Sequence, residues 1–192
     1  MADVFEVLKQ DHDELKAMLA KLEQGPTASR GATPEQLTER KRLAQDIIIS
    51  ASKHEVAEEQ HFWPAVRELG PEGDRIADEA IGQEKDAERM LAEWDRLDPG
   101  DDRFETLLTG YASDARAHIA FEEGHAWPLL RGAISTDRMN LLGDKIVRAK
   151  QMAPTRPHPN VPPQPGVLKT AGPVAAAADR IRDSVTGRGR KS

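Results

Sequence analysis

The chain has 192 residues with a hydrophobic fraction of 38%, which is enough to build one helical bundle of ordinary size plus extra segments. It contains no cysteine, so disulfides, thiolate zinc sites, iron–sulfur clusters and cysteine nucleophiles are excluded, and any metal must be held by nitrogen and oxygen ligands. The formal charge of −6 is uneven: residues 154–192 carry seven Lys/Arg against two Asp, which leaves −11 on residues 1–153 and disfavours nucleic acid as a partner of the body.

Charged residues make up 31% and aromatics 4%, with Ala, Leu, Glu, Arg and Lys abundant, and that balance favours helix over strand. The first residues show no basic segment followed by an apolar run, and no stretch of about 18 apolar residues occurs. A soluble, cytoplasmic, all-α protein is expected, a monomer or weak homo-oligomer with no membrane partner.

Helix 1 is expected from about Asp3 to Gln24, with Val4, Leu8, Leu15, Met18, Leu19 and Leu22 at three- and four-residue spacings, and Gly25-Pro26 ends it. Thr33-Pro34-Glu35-Gln36 offers an N-cap, a first-turn proline and a capping-box glutamine, so helix 2 starts there. It runs to about Trp63, where Pro64 must kink or end it. Helix 3 is predicted from about Asp74 to Leu97. The turn residues Asp98-Pro99-Gly100-Asp101 then lead into helix 4, from about Asp102 to Trp127, with Pro128 repeating the interruption.

Ser135 can cap a shorter fifth helix to about Gln151. Residues 1–153 thus read as an antiparallel up-down four-helix bundle with a short fifth helix, and residues 154–192 as a Pro-rich linker or strap and a basic tail. Pro154–Pro159 and Pro162–Pro165 lack apolar anchors. Pro173–Val185 could form a short amphipathic helix, Gly187–Ser192 reads as disordered, and a solvated tail is the leading expectation.

The informative feature is an internal repeat. Residues 54–64 read His-Glu-Val-Ala-Glu-Glu-Gln-His-Phe-Trp-Pro and residues 118–128 read His-Ile-Ala-Phe-Glu-Glu-Gly-His-Ala-Trp-Pro, with His, Glu, Glu, His, Trp and Pro matching at one offset. A weaker match joins Met18-Leu19-Ala20 to Met90-Leu91-Ala92, so the bundle is two helical hairpins in which His12 corresponds to Glu84.

Residues four apart lie roughly 40° apart on a helix, so His54 and Glu58 share a face, as do His118 and Glu122, and His61 and His125 continue the stripe at i+7. Such a line through a bundle interior is costly unless a bound cation compensates it. Imidazole suits iron, zinc and copper, and a carboxylate can bridge two cations about 3.5–4 Å apart. Glu58 and Glu122 are the natural bridges, and His54 and His118 the terminal ligands on opposite metals. Helix 1 adds His12, and helix 3 adds Glu84, with Glu88 one turn later as the other candidate. His61 and His125 stand between ligand, outer partner and pocket-mouth positions. Glu59 and Glu123 point about 100° away and read as a solvated face, while Trp63 and Trp127 read as core anchors.

The ordered motifs Asp11-His12-x-x-Leu15, His54-x-x-x-Glu58-Glu59 with Phe62-Trp63-Pro64, and His118-x-x-x-Glu122-Glu123 with Trp127-Pro128 resemble the hemerythrin-like, or HHE cation-binding, family over roughly residues 3–150. The resemblance implies a non-haem di-iron centre with an oxo or hydroxo bridge. It also implies a role in binding dioxygen, sensing iron or oxygen, or processing hydrogen peroxide or nitric oxide. One departure stands out: the family usually places histidine on helix 3, and this helix 3 has none. A carboxylate-rich site resembles the oxygen-activating di-iron bundles, and it shifts the expectation from oxygen carriage toward oxidant chemistry in oxidative or nitrosative stress protection. Peroxidase-like, catalase-like or nitric-oxide-consuming activity is therefore the leading expectation. An iron or oxygen sensor or store, and a purely structural bundle, remain as competitors. Manganese or zinc would accept the same ligands. No phosphate loop, Ser-His-Asp arrangement or dinucleotide fingerprint competes.

Overall fold

The structure is a computed structural model that describes residues 3–158 and 175–183. Its first helix, α1 (Val4–Gln24), begins with a capping box, in which the Asp3 side chain accepts from the first-turn backbone and Glu6 reaches back to the Asp3 N–H. Helix α2 (Pro34–Ala57) opens with the same device at Thr33 and Gln36. Helix α4 (Pro71–Trp94) starts three residues before the expected Asp74, because Pro71 supplies a first-turn proline after Gly70 at φ 86°. Gly73 lets this turn press against the preceding segment, since a Cβ there would sit 2.0 Å from the Val66 carbonyl oxygen. Helix α5 (Asp102–Phe121) is capped by Asp101, and α7 (Thr136–Met152) by Ser135.

The prolines at 64 and 128 do not end their helical runs. A π-turn precedes each of them, Glu58–Phe62 and Glu122–Ala126, after which α3 (Trp63–Arg67) and α6 (Trp127–Ala133) continue the two rods. Each turn closes with an i→i−5 bond, from the Trp63 N–H to the Glu58 carbonyl and from the Trp127 N–H to the Glu122 carbonyl. The widened turn absorbs the missing proline donor and gives the ring room, so the strain falls on one turn.

Helices α1, α2, α4 and α5 form the antiparallel up-down bundle, with α7 laid along α1 and α2. The core is two apolar clusters. One, at the end where α1 begins, gathers Phe5, Leu8, Phe62, Trp63, Ala80, Trp127 and Leu130; the other gathers Leu19, Leu22, Ile47, Ile48, Leu91, Trp94 and Phe104. Between them lies a layer of buried polar groups: Asp11, His12, His54, Glu58, Glu84 and Glu122. Among the described residues no helix is long and apolar enough to cross a membrane.

The described part of the C-terminal segment departs from the solvated-tail expectation. Residues 175–183 form a helix, and Arg156 ties it to the bundle by pairing with Asp95, just after α4, and Asp183 of the terminal helix at 3.0 and 2.8 Å. Asp179 is buried, accepts from the Thr155 and Arg156 N–H groups, and pairs with His158. Two basic side chains meeting buried carboxylates anchor a stretch that lacks apolar anchors of its own. The expectations for Pro162–Pro165 and for Gly187–Ser192 lie outside the described residues.

Candidate metal centre

Six of the eight candidate ligands converge in the polar layer. One donor atom each from His12, His54, Glu58 and Glu122 lies within 4.8 Å of the others, and so does a second set from Glu58, Glu84, His118 and Glu122. The two groups share Glu58 and Glu122, which stand one on each of the two rods at the first residue of a π-turn. Both glutamates are fully buried.

Each imidazole of the cluster turns Nε2 inward and has Nδ1 held from outside. His54 places Nε2 3.1 Å from Glu58, with Nδ1 3.2 Å from Asp11. His12 has Nε2 3.0 Å from Glu122 and Nδ1 2.9 Å from Glu123. His118 sets Nε2 3.3 Å from Glu122 and Nδ1 2.9 Å from the Gln83 amide oxygen. Asp11, Glu123 and Gln83 act as acceptors here, so the tautomer they select carries its proton on Nδ1 and leaves the Nε2 lone pair facing the cluster. Asp11 is in turn paired with Lys150 of α7, and Glu123 lies near Lys16. Glu84 accepts from the Trp63 indole N–H at 2.5 Å, and the Trp127 ring stacks on His12 with centroids 5.2 Å apart.

The electrostatics are those of groups that a bound cation would compensate. Burial, and then Glu122, push the Glu58 carboxyl up, while burial and then Glu58 push Glu84 well above the usual carboxylate range. Burial acts the same way on Glu122, but His118 and His12 outweigh it and hold that carboxyl well below its ordinary value. His54 is raised because Glu58 and Asp11 overcome the effect of burial. Three buried carboxyls therefore share too little positive charge. Beyond these imidazole–carboxylate contacts, His12 Nε2, both oxygens of Glu58 and of Glu122, Glu84 Oε2 and His118 Nε2 are buried with no hydrogen-bond partner. Left so, they would cost on the order of 1–3 kcal/mol each, more where charged. A pair of cations held by nitrogen and oxygen would use all of them, so the donor set fits such a pair.

His61 and His125 are not among the gathered atoms. Residues inside a π-turn fall behind the α-helical step of about 100°, and the i+7 stripe loses its line there. His125 is exposed, with Nδ1 3.0 Å from the Phe121 carbonyl oxygen, and His61 is half-buried. Glu88 is also outside both groups and accepts from the His158 N–H at 2.8 Å, which leaves Glu84 as the helix α4 contributor.

Sequence reasoning overlooked the supporting residues. Glu123, read as a solvated face, reaches His12: a residue rotated about 100° from a bundle ligand points at the flank of the neighbouring helix, where the outer nitrogen of that helix's histidine lies. Trp63 and Trp127 are core residues as expected, and they also touch Glu84 and His12.

A cavity of about 270 Å³ adjoins the layer on the side of the second apolar cluster. His12, His54, Glu84 and His118 form one wall; alanines from three helices, with Leu15, Tyr111 and Ile119, supply the apolar surface, and further acidic side chains also line it.

Comparison with known proteins identifies the family and the fold. The family model described as the hemerythrin HHE cation binding domain matches residues 3–130. An uncharacterized hemerythrin-like protein of Schizosaccharomyces pombe is 27% identical over 143 residues, covering 74% of this chain and 70% of that protein. Among solved structures, the crystal structure of a hemerythrin HHE cation binding domain-containing protein from Mycobacterium kansasii superposes with a TM-score of 0.64 at 20% identity, over 93% of this chain and 99% of the other, a likeness of fold.

Proposed function

We propose that this chain, which belongs to the hemerythrin HHE cation-binding family, holds two iron ions and uses them to process small oxidants, namely dioxygen, hydrogen peroxide or nitric oxide, in protection of the cytoplasm. The observation that carries the reading is the pair of four-residue groups sharing Glu58 and Glu122, whose buried donor atoms face one another. His12 and His54 would hold one ion and Glu84 and His118 the other, with Glu58 and Glu122 common to both. Two iron ions held by these residues would supply Lewis acidity and one-electron redox chemistry.

The protein's own contribution is orientation and shielding. Asp11, Glu123 and Gln83 fix the imidazole tautomers, Trp63 holds one oxygen of Glu84, and Trp127 covers the His12 ring. The two apolar clusters keep bulk water from both sides of the layer, and the cavity gives a small molecule access to it.

Metal analysis of anaerobically purified protein should find about two irons per chain, with His54→Ala and Glu58→Ala reducing that content. Unchanged content in both variants would overturn the reading. Consumption of hydrogen peroxide and nitric oxide by loaded against metal-free protein then separates turnover from iron or oxygen sensing and storage. A loaded protein that consumes neither belongs to the second class.

A further inference from the structure

The cavity beside the polar layer is larger than a diatomic ligand requires. A water molecule's share of liquid volume is about 30 Å³, so 270 Å³ corresponds to roughly nine waters, whereas protein interiors keep few voids larger than one. The space comes from sequence choices: Ala51 on α2, Ala87 on α4 and Ala115 on α5 stand around it, small residues where a bundle core can carry Leu or Ile. Asp86, Asp114 and Ala117 are exposed where α4 meets α5 and mark its mouth.

The charge pattern narrows the occupant. Asp11, Glu55, Glu84, Asp86 and Asp114 line the cavity, and among the described residues no Lys or Arg does. An organic anion would enter past these carboxylates, while a neutral molecule meets apolar walls of Leu15, Ala51, Ala115 and Ile119 with the imidazoles and Glu84 at one end.

We infer that this cavity binds short-chain, neutral organic oxygen compounds, bearing a hydroxyl or hydroperoxyl head on an alkyl body of about four to eight carbons. The head faces the histidine–glutamate layer and the alkyl part lies among the alanines. The inference deepens the proposed function by naming the size and charge of a ligand; the orientation of the head rests on that reading, and the existence of the apolar compartment does not.

The probe is 1-hexanol, followed by ligand-observed NMR against the full-length protein as purified and again after treatment with chelator. Saturable binding with a dissociation constant of about 1 mM or tighter is expected, reasonable for a ligand of about seven non-hydrogen atoms, with hexanoate at least about ten-fold weaker in the metal-free protein. Ala115→Leu and Ala87→Leu fill the cavity from opposite walls. Each should weaken hexanol about ten-fold or more while leaving helix content and metal content unchanged, and if one variant fails to fold the other keeps the test in force. Absence of hexanol binding, or binding that neither folded variant weakens, overturns the inference. The outcomes separate from those of the metal reading: a protein with two irons and no hexanol binding loses only this inference, and a protein that binds hexanol but no metal loses only the other.

Discussion

The two helical hairpins are near copies whose polar residues do matching jobs with different chemistry. Asp11-His12 on α1 corresponds to Gln83-Glu84 on α4, and in both cases the first residue of the pair holds Nδ1 of the histidine on the next helix: Asp11 takes His54, and Gln83 takes His118. The tryptophans cross between hairpins, Trp127 to His12 and Trp63 to Glu84. Glu123 accepts at His12, whereas its counterpart Glu59 has a carboxylate in place of the imidazole. Glu123 is accordingly held below its ordinary value, because His12 and Lys16 outweigh burial, while burial and Glu88 push Glu59 up to about 8. One exchange separates the two groups, Glu84 on the third long helix in the place of His12 on the first. It leaves one group with two imidazoles backed by carboxylates and the other with one imidazole backed by an amide.

The comparison breaks most completely where the groups overlap. Glu58→Ala removes a donor from both, so metal content should fall from about two per chain toward zero, whereas His54→Ala and His118→Ala should each leave about one. Because ligands that bind only the folded chain stabilise it by mass action, the thermal midpoint should fall in the same order under equal metal. Equal losses in all three variants would mean that the groups are not two positions sharing bridges.

Glu84→His is the sharpening experiment. It gives α4 the residue that α1 has and gives Glu59 an imidazole to accept from, as Glu123 does at His12. Two distinguishable steps in a metal titration of the natural protein should merge toward one, with the weaker step tightened about ten-fold or more. If the steps stay as far apart as before, the inequivalence does not originate at residue 84.

How much of this could be read from the sequence follows from the kind of signal each feature leaves. The bundle was legible because apolar residues at three- and four-residue spacings report helical faces, and the repeat pointed to Glu58 and Glu122 as a matched pair. The π-turns were not, since Pro64 and Pro128 announce an interruption without saying whether a helix will break or widen. That is why His61 and His125, in line on an ideal helix, are displaced from it. Gln83 and Asp11 left a faint trace in the repeat, as neighbours of the matched pair His12 and Glu84. Lys150 left none, because its partner is 139 residues away and only the docking of α7 brings them together.

Exchanging the outer acceptors tests whether they tune the inner ligands. An anionic acceptor makes an imidazole more basic and a better donor to a cation. Asp11→Asn should weaken the position held by His54 about ten-fold, and Gln83→Glu should tighten the one held by His118 by a similar factor. Paired shifts in opposite directions, read from the two titration steps, support the account, and parallel shifts refute it.

The smallest expected effect lies farthest out. Lys150 stands on α7, beyond residues 3–130 that match the family model, and pairs with Asp11 through the oxygen that does not face His54. Burial raises the Asp11 carboxyl, but His54 and Lys150 together bring it below its ordinary value, so the lysine contributes to keeping that acceptor ionised. Lys150 is 27% exposed, and solvent weakens such a pair to about 1 kcal/mol or less. Lys150→Met should therefore weaken the His54 position by no more than about five-fold and leave the His118 position unchanged, while Lys150→Arg should restore most of the loss. A change confined to one of the two steps would place α7 in the electrostatic support of that position. A change in both would instead point to loosened packing of α7 on α1 and α2, where Ile146 and Leu142 are buried, and would assign the lysine a structural role.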